Sequence, residues 1–165
     1  MLLIDTDVLI WYMRGNESAY EVIEGNLPFS ISVVTYIELV QGMRNKDELN
    51  CLRQTLKDWE TKILYISEEI SAKAMFYVEQ HYLSHSLQLA DALIGATAVS
   101  YGLPILTGND KHYKVMKQVQ IKVCCPNLCV PGMSIFPNYV PPLMPHFMKN
   151  LRSRVYPRIP YRGEC

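Results

Sequence analysis

The sequence predicts an α/β domain in which a mainly parallel central sheet is flanked by helices. Short apolar runs that suit buried strands alternate with longer segments of helical periodicity, and this order requires crossover connections between parallel strands. The chain has 165 residues, of which 49% are hydrophobic, so a domain of this size can bury a sizeable core. We expect this domain to span residues 1–125.

The first half of the chain is predicted to contain two strands and four helices. Residues 2–4 form an apolar run that ends at an acid, and residues 29–32 alternate in polarity as strands do. Glycine 25 is a signal for a helix end, because glycine is favoured there. The predicted helices are 8–13, 17–24, 33–43 and 46–60.

The second half is predicted to contain three strands and three helices. Ser67 precedes two glutamates, which is typical of a helix start, and Gly102 ends a later helix rich in small apolar residues. The predicted strands are 63–66, 104–106 and 121–123, and the predicted helices are 67–84, 87–101 and 112–119.

Acidic side chains occur where a core-forming sequence would not place them. Asp5 follows the first strand, Glu38 and Asp91 lie within apolar helical segments, and Asn109 and Asp110 follow the 104–106 strand. Burying an isolated carboxylate is unfavourable unless it is paired or binds a cation. The strand ends of an open parallel sheet form its ligand crevice. Oxygen ligands that converge there suit Mg²⁺ or Mn²⁺.

Each acid also has a purely structural interpretation. The spacing of Thr35 and Glu38 fits a capping box, in which Glu38 closes a helix start. Asp7 could cap a helix that begins at residue 8, and Asp91 one that begins at residue 92. Asp110 could belong to a turn.

Four segments in order carry a family resemblance. They read LLIDTDVLI from residue 2, SVVTYIELVQG from 32, LADALIGATA from 89 and LTGNDKHY from 106. This order resembles the PIN-domain family, and within it the VapC-type toxins of bacterial toxin–antitoxin pairs, over about residues 1–125. The resemblance implies a PIN-like three-layer sandwich and a Mg²⁺- or Mn²⁺-dependent endoribonuclease. It also implies RNA as substrate, inhibition by a cognate antitoxin, and a homodimer.

The resemblance also implies roles for particular residues. Asp5, Glu38 and Asp91 match the three core acids of the family. At the fourth acidic position Thr107 fixes the register and places Asn109 there, with Asp110 one residue later. The implied metal ligands are Asp5, Glu38, Asp91 and Asn109, the implied catalytic residues are Asp5, Glu38, Asp91 and Asp110, and the implied substrate contacts are Thr6, Thr107 and Lys111.

Two other functions remain open from the sequence. The segment from Ile4 to Val8 also resembles the opening motif of haloacid-dehalogenase-like phosphatases, in which Asp5 would be a nucleophile and Asp7 a general acid. The later motifs of that family find no convincing match. A PIN scaffold that binds RNA or a protein without cleaving it is the second alternative, because Asn109 supplies no charge at the fourth position.

The neutral overall charge conceals two unlike segments. Residues 1–125 hold 11 Lys and Arg against 15 Asp and Glu, whereas residues 126–165 hold five basic residues and one acid. Eight of the ten prolines lie beyond residue 125. We therefore expect 126–165 to be an irregular basic extension, extended or partly disordered. It would be either an RNA-guiding arm or a surplus segment without a selected function.

Cellular location is predicted from the cysteines and from hydropathy. The five cysteines are odd in number and four lie at or after residue 124, so a disulfide framework is not expected. There is no apolar run long enough for a transmembrane helix, and the N-terminus lacks a basic leader. These observations predict a cytoplasmic protein without a membrane partner.

Overall fold

Five parallel strands form the centre of the computed structural model, which describes residues 1–124. Their order across the sheet is β3-β2-β1-β4-β5, and every pair of neighbours is parallel. The predicted parallel α/β fold is thus confirmed. The predictions for segment 126–165 lie outside the described residues. The strands are β1 (Leu3–Ile4), β2 (Ser30–Ser32), β3 (Lys62–Leu64), β4 (Ile105–Thr107) and β5 (Ile121–Val123).

Seven helices connect these strands within residues 1–124. Side chains of Asn16, Ser32, Asn45 and Ser67 accept backbone N–H groups at the starts of the second to fifth helices, as expected for N-caps. None of the helices in this part of the chain is long and apolar enough to cross a membrane. The helices are α1 (Thr6–Met13), α2 (Glu17–Glu24), α3 (Val33–Gln41), α4 (Lys46–Asp58), α5 (Glu68–His85), α6 (Leu89–Tyr101) and α7 (Lys111–Lys114).

The sheet separates two hydrophobic cores and so forms the middle of three layers. Ile4 and Leu106 face one core, which contains side chains from α1, α2 and α4. Leu3 and Ile105, their neighbours along the strands, face the other core, which contains side chains from α5, α6 and α7. This alternation follows from the two-residue period of a strand. The predicted three-layer sandwich is confirmed.

Most predicted elements differ from the observed ones by one or two residues at an end, and two of the differences have a clear physical reason. The third strand was expected over 63–66 but spans Lys62–Leu64, because the neighbouring strand Ser30–Ser32 offers only three pairing residues. The helix expected over 112–119 ends at Lys114. Beyond it, the N–H groups of Met116 and Val119 donate to carbonyls three residues back, which is 3₁₀-type geometry rather than α-helix.

An ion pair between the exposed Arg44 and the buried Glu48 lies at the start of α4. Glu48 is almost fully buried and accepts three hydrogen bonds from Arg44, one from its backbone N–H at 2.8 Å and two from its guanidinium at 2.9 and 2.6 Å. Burial alone raises the pKa of Glu48, but the hydrogen bonds from Arg44 outweigh it and hold this pKa below its usual value. Glu48 is therefore a stabilising carboxylate without a direct link to the acids discussed below.

Glu48→Gln is expected to lower the free energy of unfolding by about 1–3 kcal/mol, because Arg44 keeps its donors but loses a charged acceptor. Urea denaturation at pH 7 measures this difference. The control is Asp47→Asn at the neighbouring exposed position, which we expect to change stability by about 0.5 kcal/mol or less. Equal stability of the Glu48→Gln and Asp47→Asn variants would contradict the prediction.

Candidate metal and active site

Asp5 lies at the carboxyl end of the central strand, next to Thr107. Because Ile4 pairs with Leu106 across β1 and β4, the residues that follow them are brought side by side. The hydroxyl of Thr107 donates to Oδ2 of Asp5 at 2.8 Å, and the backbone N–H of Thr6 donates to Oδ1 at 2.8 Å. Only 7% of Asp5 is exposed. Its carboxylate is therefore fixed in orientation.

Asp7 is a second carboxylate at the same place. The backbone N–H of Gly108 donates to its Oδ2 at 3.0 Å, while its Oδ1 is buried and has no hydrogen-bond partner in the described part of the chain. Asp7 lies in the first turn of α1, whose N-cap is Asp5. The interpretation of Asp7 as a helix cap is therefore wrong, because Asp5 already occupies the position that accepts the first helical N–H.

Both carboxylates have raised pKa values. Burial, followed by the charge of Asp7, raises the pKa of Asp5 to about 7, although hydrogen bonds from Thr107 and Thr6 oppose the rise. Burial also raises the pKa of Asp7 to about 6, against the hydrogen bond from Gly108. The buried Tyr113 hydroxyl is near Asp5 but forms no hydrogen bond of good geometry within residues 1–124. No Lys or Arg within residues 1–124 forms an ion pair with either aspartate.

Glu38 and Asp91 extend this acidic cluster from two further helices. The hydroxyl of Thr6 donates to Oε2 of Glu38 at 2.5 Å, which links α3 to the start of α1. Burial raises the pKa of Asp91 on α6, the nearby imidazole of His112 lowers it, and the charge of Glu38 raises it. Nε2 of His112 lies 4.0 Å from Oδ2 of Asp91. Glu38 and Asp91 thus interact electrostatically, and Thr6 links Glu38 to Asp5 through hydrogen bonds.

The structural alternatives for Glu38 and Asp91 are wrong. The N-cap of α3 is Ser32, so Glu38 lies beyond the first turn and closes no capping box with Thr35. Gln88 is the N-cap residue of α6, and this helix begins at Leu89 rather than at residue 92. Glu38 therefore belongs to no capping box with Thr35, and Asp91 is not an N-cap residue.

The residues at the fourth acidic position have separate surroundings. Asn109 is exposed, and its backbone N–H donates to the hydroxyl of Thr107 at 3.1 Å. Asp110 precedes α7 without a side-chain capping bond, and its carboxylate lies 2.6 Å from Nζ of Lys114. Lys111 is exposed. The charge of Asp110 is thus already paired, whereas Asn109 has a side chain open to solvent beside Thr107.

Sequence reasoning missed three contributors to the cluster. Asp7 and His112 were visible in the motifs, but only the folded chain shows that they face Asp5 and Asp91. Gly108 lies in the last of the motifs, but the motif does not show its contacts. Its backbone N–H binds Asp7, and its lack of a side chain admits the indole of Trp11, since a Cβ on Gly108 would lie 1.8 Å from Cη2 of Trp11.

Gly108→Ala is expected to destabilise the protein by about 1–3 kcal/mol, because the added methyl group overlaps the ring of Trp11. Chemical denaturation of the variant measures the loss. The double variant Gly108→Ala with Trp11→Leu removes the overlapping ring atoms and serves as the matched test. The contact would be contradicted if Gly108→Ala had the same free energy of unfolding as the wild type. It would also be contradicted if the double variant were less stable than both single variants.

The donor set of the cluster fits a hard divalent cation. In residues 1–124, no three Asp, Glu, His or Cys side chains form a preformed cage for a metal. Mg²⁺ does not need such a cage, because it commonly binds through one or two carboxylates and completes its shell with water and substrate phosphate. Such a cation would offset the uncompensated charge of Asp5. It would also give the unpartnered Oδ1 of Asp7 a positive neighbour.

A parallel sheet with carboxylates gathered beyond its central strand defines an α/β protein with an acidic cleft. Residues 2–118 match the family model of the PIN domain, and the chain belongs to this family. This membership decides against the phosphatase alternative.

The chain is 31% identical over 136 residues to ribonuclease VapC10 of Mycobacterium tuberculosis, covering 80% of this chain and 96% of that protein. It is 28% identical over 126 residues to ribonuclease VapC1 of Methanocaldococcus jannaschii, covering 74% and 85%.

Solved structures share the fold. A toxin–antitoxin complex from Klebsiella pneumoniae aligns with a TM-score of 0.62 and 27% identity, covering 72% of this chain and 95% of that one. VapBC-1 from nontypeable Haemophilus influenzae aligns with a TM-score of 0.63 and 20% identity, covering 74% and 96%. At this lower identity the likeness concerns the fold alone.

Proposed function

We propose that this protein is a divalent-metal-dependent endoribonuclease and the toxin of a toxin–antitoxin pair. One observation carries the proposal: the buried carboxylate of Asp5 and the half-buried Asp7 lie together at the end of the central strand without a Lys or Arg partner in the described chain. Such a pair is unfavourable unless a cation offsets its charge. The ribonuclease relatives and PIN-family membership supply the reaction class.

The residues of the cluster take different roles in this proposal. Asp5, Glu38 and Asp91 hold Mg²⁺ or Mn²⁺, with Asn109 as a neutral oxygen donor. Asp7 adds negative charge beside Asp5. When bound there, a divalent cation supplies charge neutralisation on the scissile phosphate and activation of water for in-line attack. Hydrolysis then breaks the P–O bond to the leaving nucleotide oxygen while a water oxygen bonds to phosphorus.

Other side chains orient the acids or meet the substrate. Thr107 holds Asp5 through its hydroxyl, and Thr6 holds both Asp5 and Glu38. Lys111 is exposed close in sequence to Asn109 and would contact substrate phosphate. Asp110 is assigned a supporting role near the fourth position, where its charge is balanced by Lys114.

The proposed partners follow from the relatives. The related structure from Klebsiella pneumoniae is a toxin–antitoxin complex, and the one from Haemophilus influenzae is VapBC-1. We assign this chain a cognate antitoxin that inhibits it, and a homodimeric state. RNA is the substrate.

Removal of divalent metal is expected to abolish RNA cleavage by the full chain. Purified protein is incubated with a 5′-labelled mixed RNA pool in Mg²⁺, in Mn²⁺, or in EDTA, and the products are resolved on a sequencing gel. Cleavage in both metals and its loss in EDTA are expected, with recovery when Mg²⁺ is restored in excess. Undiminished cleavage in EDTA would contradict the proposal.

The same samples distinguish the nuclease from a non-catalytic scaffold. Mn²⁺ binding is measured by its paramagnetic resonance signal in the wild type and in Asp91→Asn, beside the cleavage rate. The nuclease binds Mn²⁺ and cleaves, and Asp91→Asn weakens both. A scaffold would bind RNA without cleaving it in either metal, and this result would favour the alternative suggested by Asn109.

A further inference from the structure

Two histidines lie side by side on the last turn of α5. His81 and His85 are four residues apart and therefore share one face of the helix. Their ring centroids are 5.9 Å apart and their ring planes meet at 73°. His85 is exposed and His81 is half-buried. Since metal–imidazole bonds are about 2.0–2.1 Å long, rings at this spacing can each turn one nitrogen toward a single ion.

Ser84 gives one of these rings a defined orientation. Its hydroxyl oxygen lies 2.7 Å from Nδ1 of His85. With the Nδ1–H of the ring donating to that oxygen, Nε2 keeps its lone pair for a metal. Histidines that ligate metals usually have their second ring nitrogen held in this way. The contact with Ser84 would therefore fix the tautomer and the orientation of the His85 ring, as supporting hydrogen bonds do in known metal sites.

The local charge at the end of α5 favours a cation. The helix is 18 residues long, and its C-terminal end carries the negative end of the helix dipole. The only basic side chain of that turn is His85 itself, so no Lys or Arg there repels an ion. Ser86 follows in the left-handed conformation at φ 54° and turns the chain toward α6.

We propose that His81 and His85 form a second metal site, which binds a transition-metal ion such as Zn²⁺, Ni²⁺ or Cu²⁺. Imidazole nitrogen suits these ions, whereas Mg²⁺ prefers the oxygen donors of the acidic cluster. No third Asp, Glu, His or Cys joins the pair within residues 1–124, so water fills the remaining positions. A bound ion would brace the turn that leads from α5 into α6, the helix that carries Asp91.

The probe for this site is the Ni²⁺–nitrilotriacetate complex, added to the tag-free full chain and followed by calorimetry. The chelator occupies four of the six nickel positions and leaves two neighbouring ones, so the complex selects paired imidazoles over carboxylates. One complex per chain is expected for the wild type. His81→Ala or His85→Ala should each weaken binding about tenfold or more, because the second contact is lost together with its high effective concentration.

Two further variants test the pairing rather than the number of histidines. His112→Ala removes a histidine elsewhere and should bind the complex as the wild type does. Leu83→His combined with His85→Gln keeps the histidine count but places the rings two residues apart, on different faces of the helix, and should bind as weakly as His85→Ala. Leu83 is 94% exposed, so the fold tolerates this exchange.

The proposal is overturned if the wild type binds no more tightly than the His81→Ala/His85→Ala double variant. It is equally overturned if the Leu83→His/His85→Gln variant binds like the wild type, since that result would show dependence on histidine number alone. Circular dichroism confirms that each variant is folded. RNA cleavage does not enter the measurement, so this result and the test of the nuclease are independent.

Discussion

Asp5→Asn is expected to abolish RNA cleavage while the fold is retained. The amide has the shape of the carboxylate, so its oxygen can accept from the N–H of Thr6 while its nitrogen donates to the hydroxyl of Thr107. What the variant loses is the negative charge that holds the cation. Metal-ion catalysis contributes several kcal/mol to stabilisation of the transition state, so we expect a loss of about 10³-fold or more.

The rate is measured as initial cleavage of a labelled RNA in Mg²⁺, with protein concentrations matched. Asp58→Asn, an exposed aspartate at the end of α4, is the matched control and should cleave at the wild-type rate. Sequencing of RNA ends after brief expression of the wild type and Asp5→Asn then identifies the cleaved sites. Cleavage by the Asp5→Asn protein at the wild-type rate in Mg²⁺ would refute the assignment of Asp5.

The metal-free protein is expected to be more stable at pH 5 than at pH 8, in contrast to proteins whose carboxylates are paired. The folded chain keeps a proton on Asp5 up to about pH 7, whereas the unfolded chain loses it near 3.8. Between these values the folded state binds more protons, so the free energy of unfolding falls as pH rises. Only the interval from pH 5 to about pH 7 lies between these two values, and two pH units at about 1.36 kcal/mol each correspond to a loss of the order of 3 kcal/mol.

Urea denaturation in EDTA at pH 5 and pH 8 measures this loss. Asp5→Asn should lose less stability than the wild type over that range, because of the two aspartates only Asp7, with a pKa of about 6, still titrates there. It should be more stable than the wild type at pH 8, because the buried charge of residue 5 is gone. Glu48 acts in the opposite direction, because a carboxyl pKa that is lowered in the folded state adds stability as pH rises. Mg²⁺ at about 100 times its dissociation constant should restore about 2.7 kcal/mol at pH 8. A wild type more stable at pH 8 than at pH 5 without metal would contradict the uncompensated aspartate pair.

The sequence predicts the fold well because local signals and burial agree along most of the chain. Apolar runs at residues 2–4 and 104–106 indicate strands, and Ser67 and Gly102 mark a helix start and a helix end that the structure contains. The errors occur where a neighbour decides the outcome. The length of β3 is set by its pairing with β2, and α7 ends early at a point where Met116 and Val119 both become buried.

The site is less predictable because it depends on side-chain contacts between distant segments. The motifs indicate Asp5, Glu38 and Asp91, since acids in apolar surroundings are conspicuous. Nothing in the motifs shows that the backbone of Gly108 holds Asp7 while Trp11 lies against it. These contacts depend on the register between β1 and β4, which periodicity does not specify.

The hydrogen bond from Thr107 to Asp5 also bears on when activity can arise during synthesis. It joins residues 102 positions apart, and the bond from Gly108 to Asp7 spans 101. Contacts of such sequence separation form late, since the loop-closure entropy must be overcome first. A nascent chain that ends before residue 107 therefore lacks the assembled cleft. An inhibitor made at the same time can therefore fold and reach its target during most of the time that this domain takes to be translated.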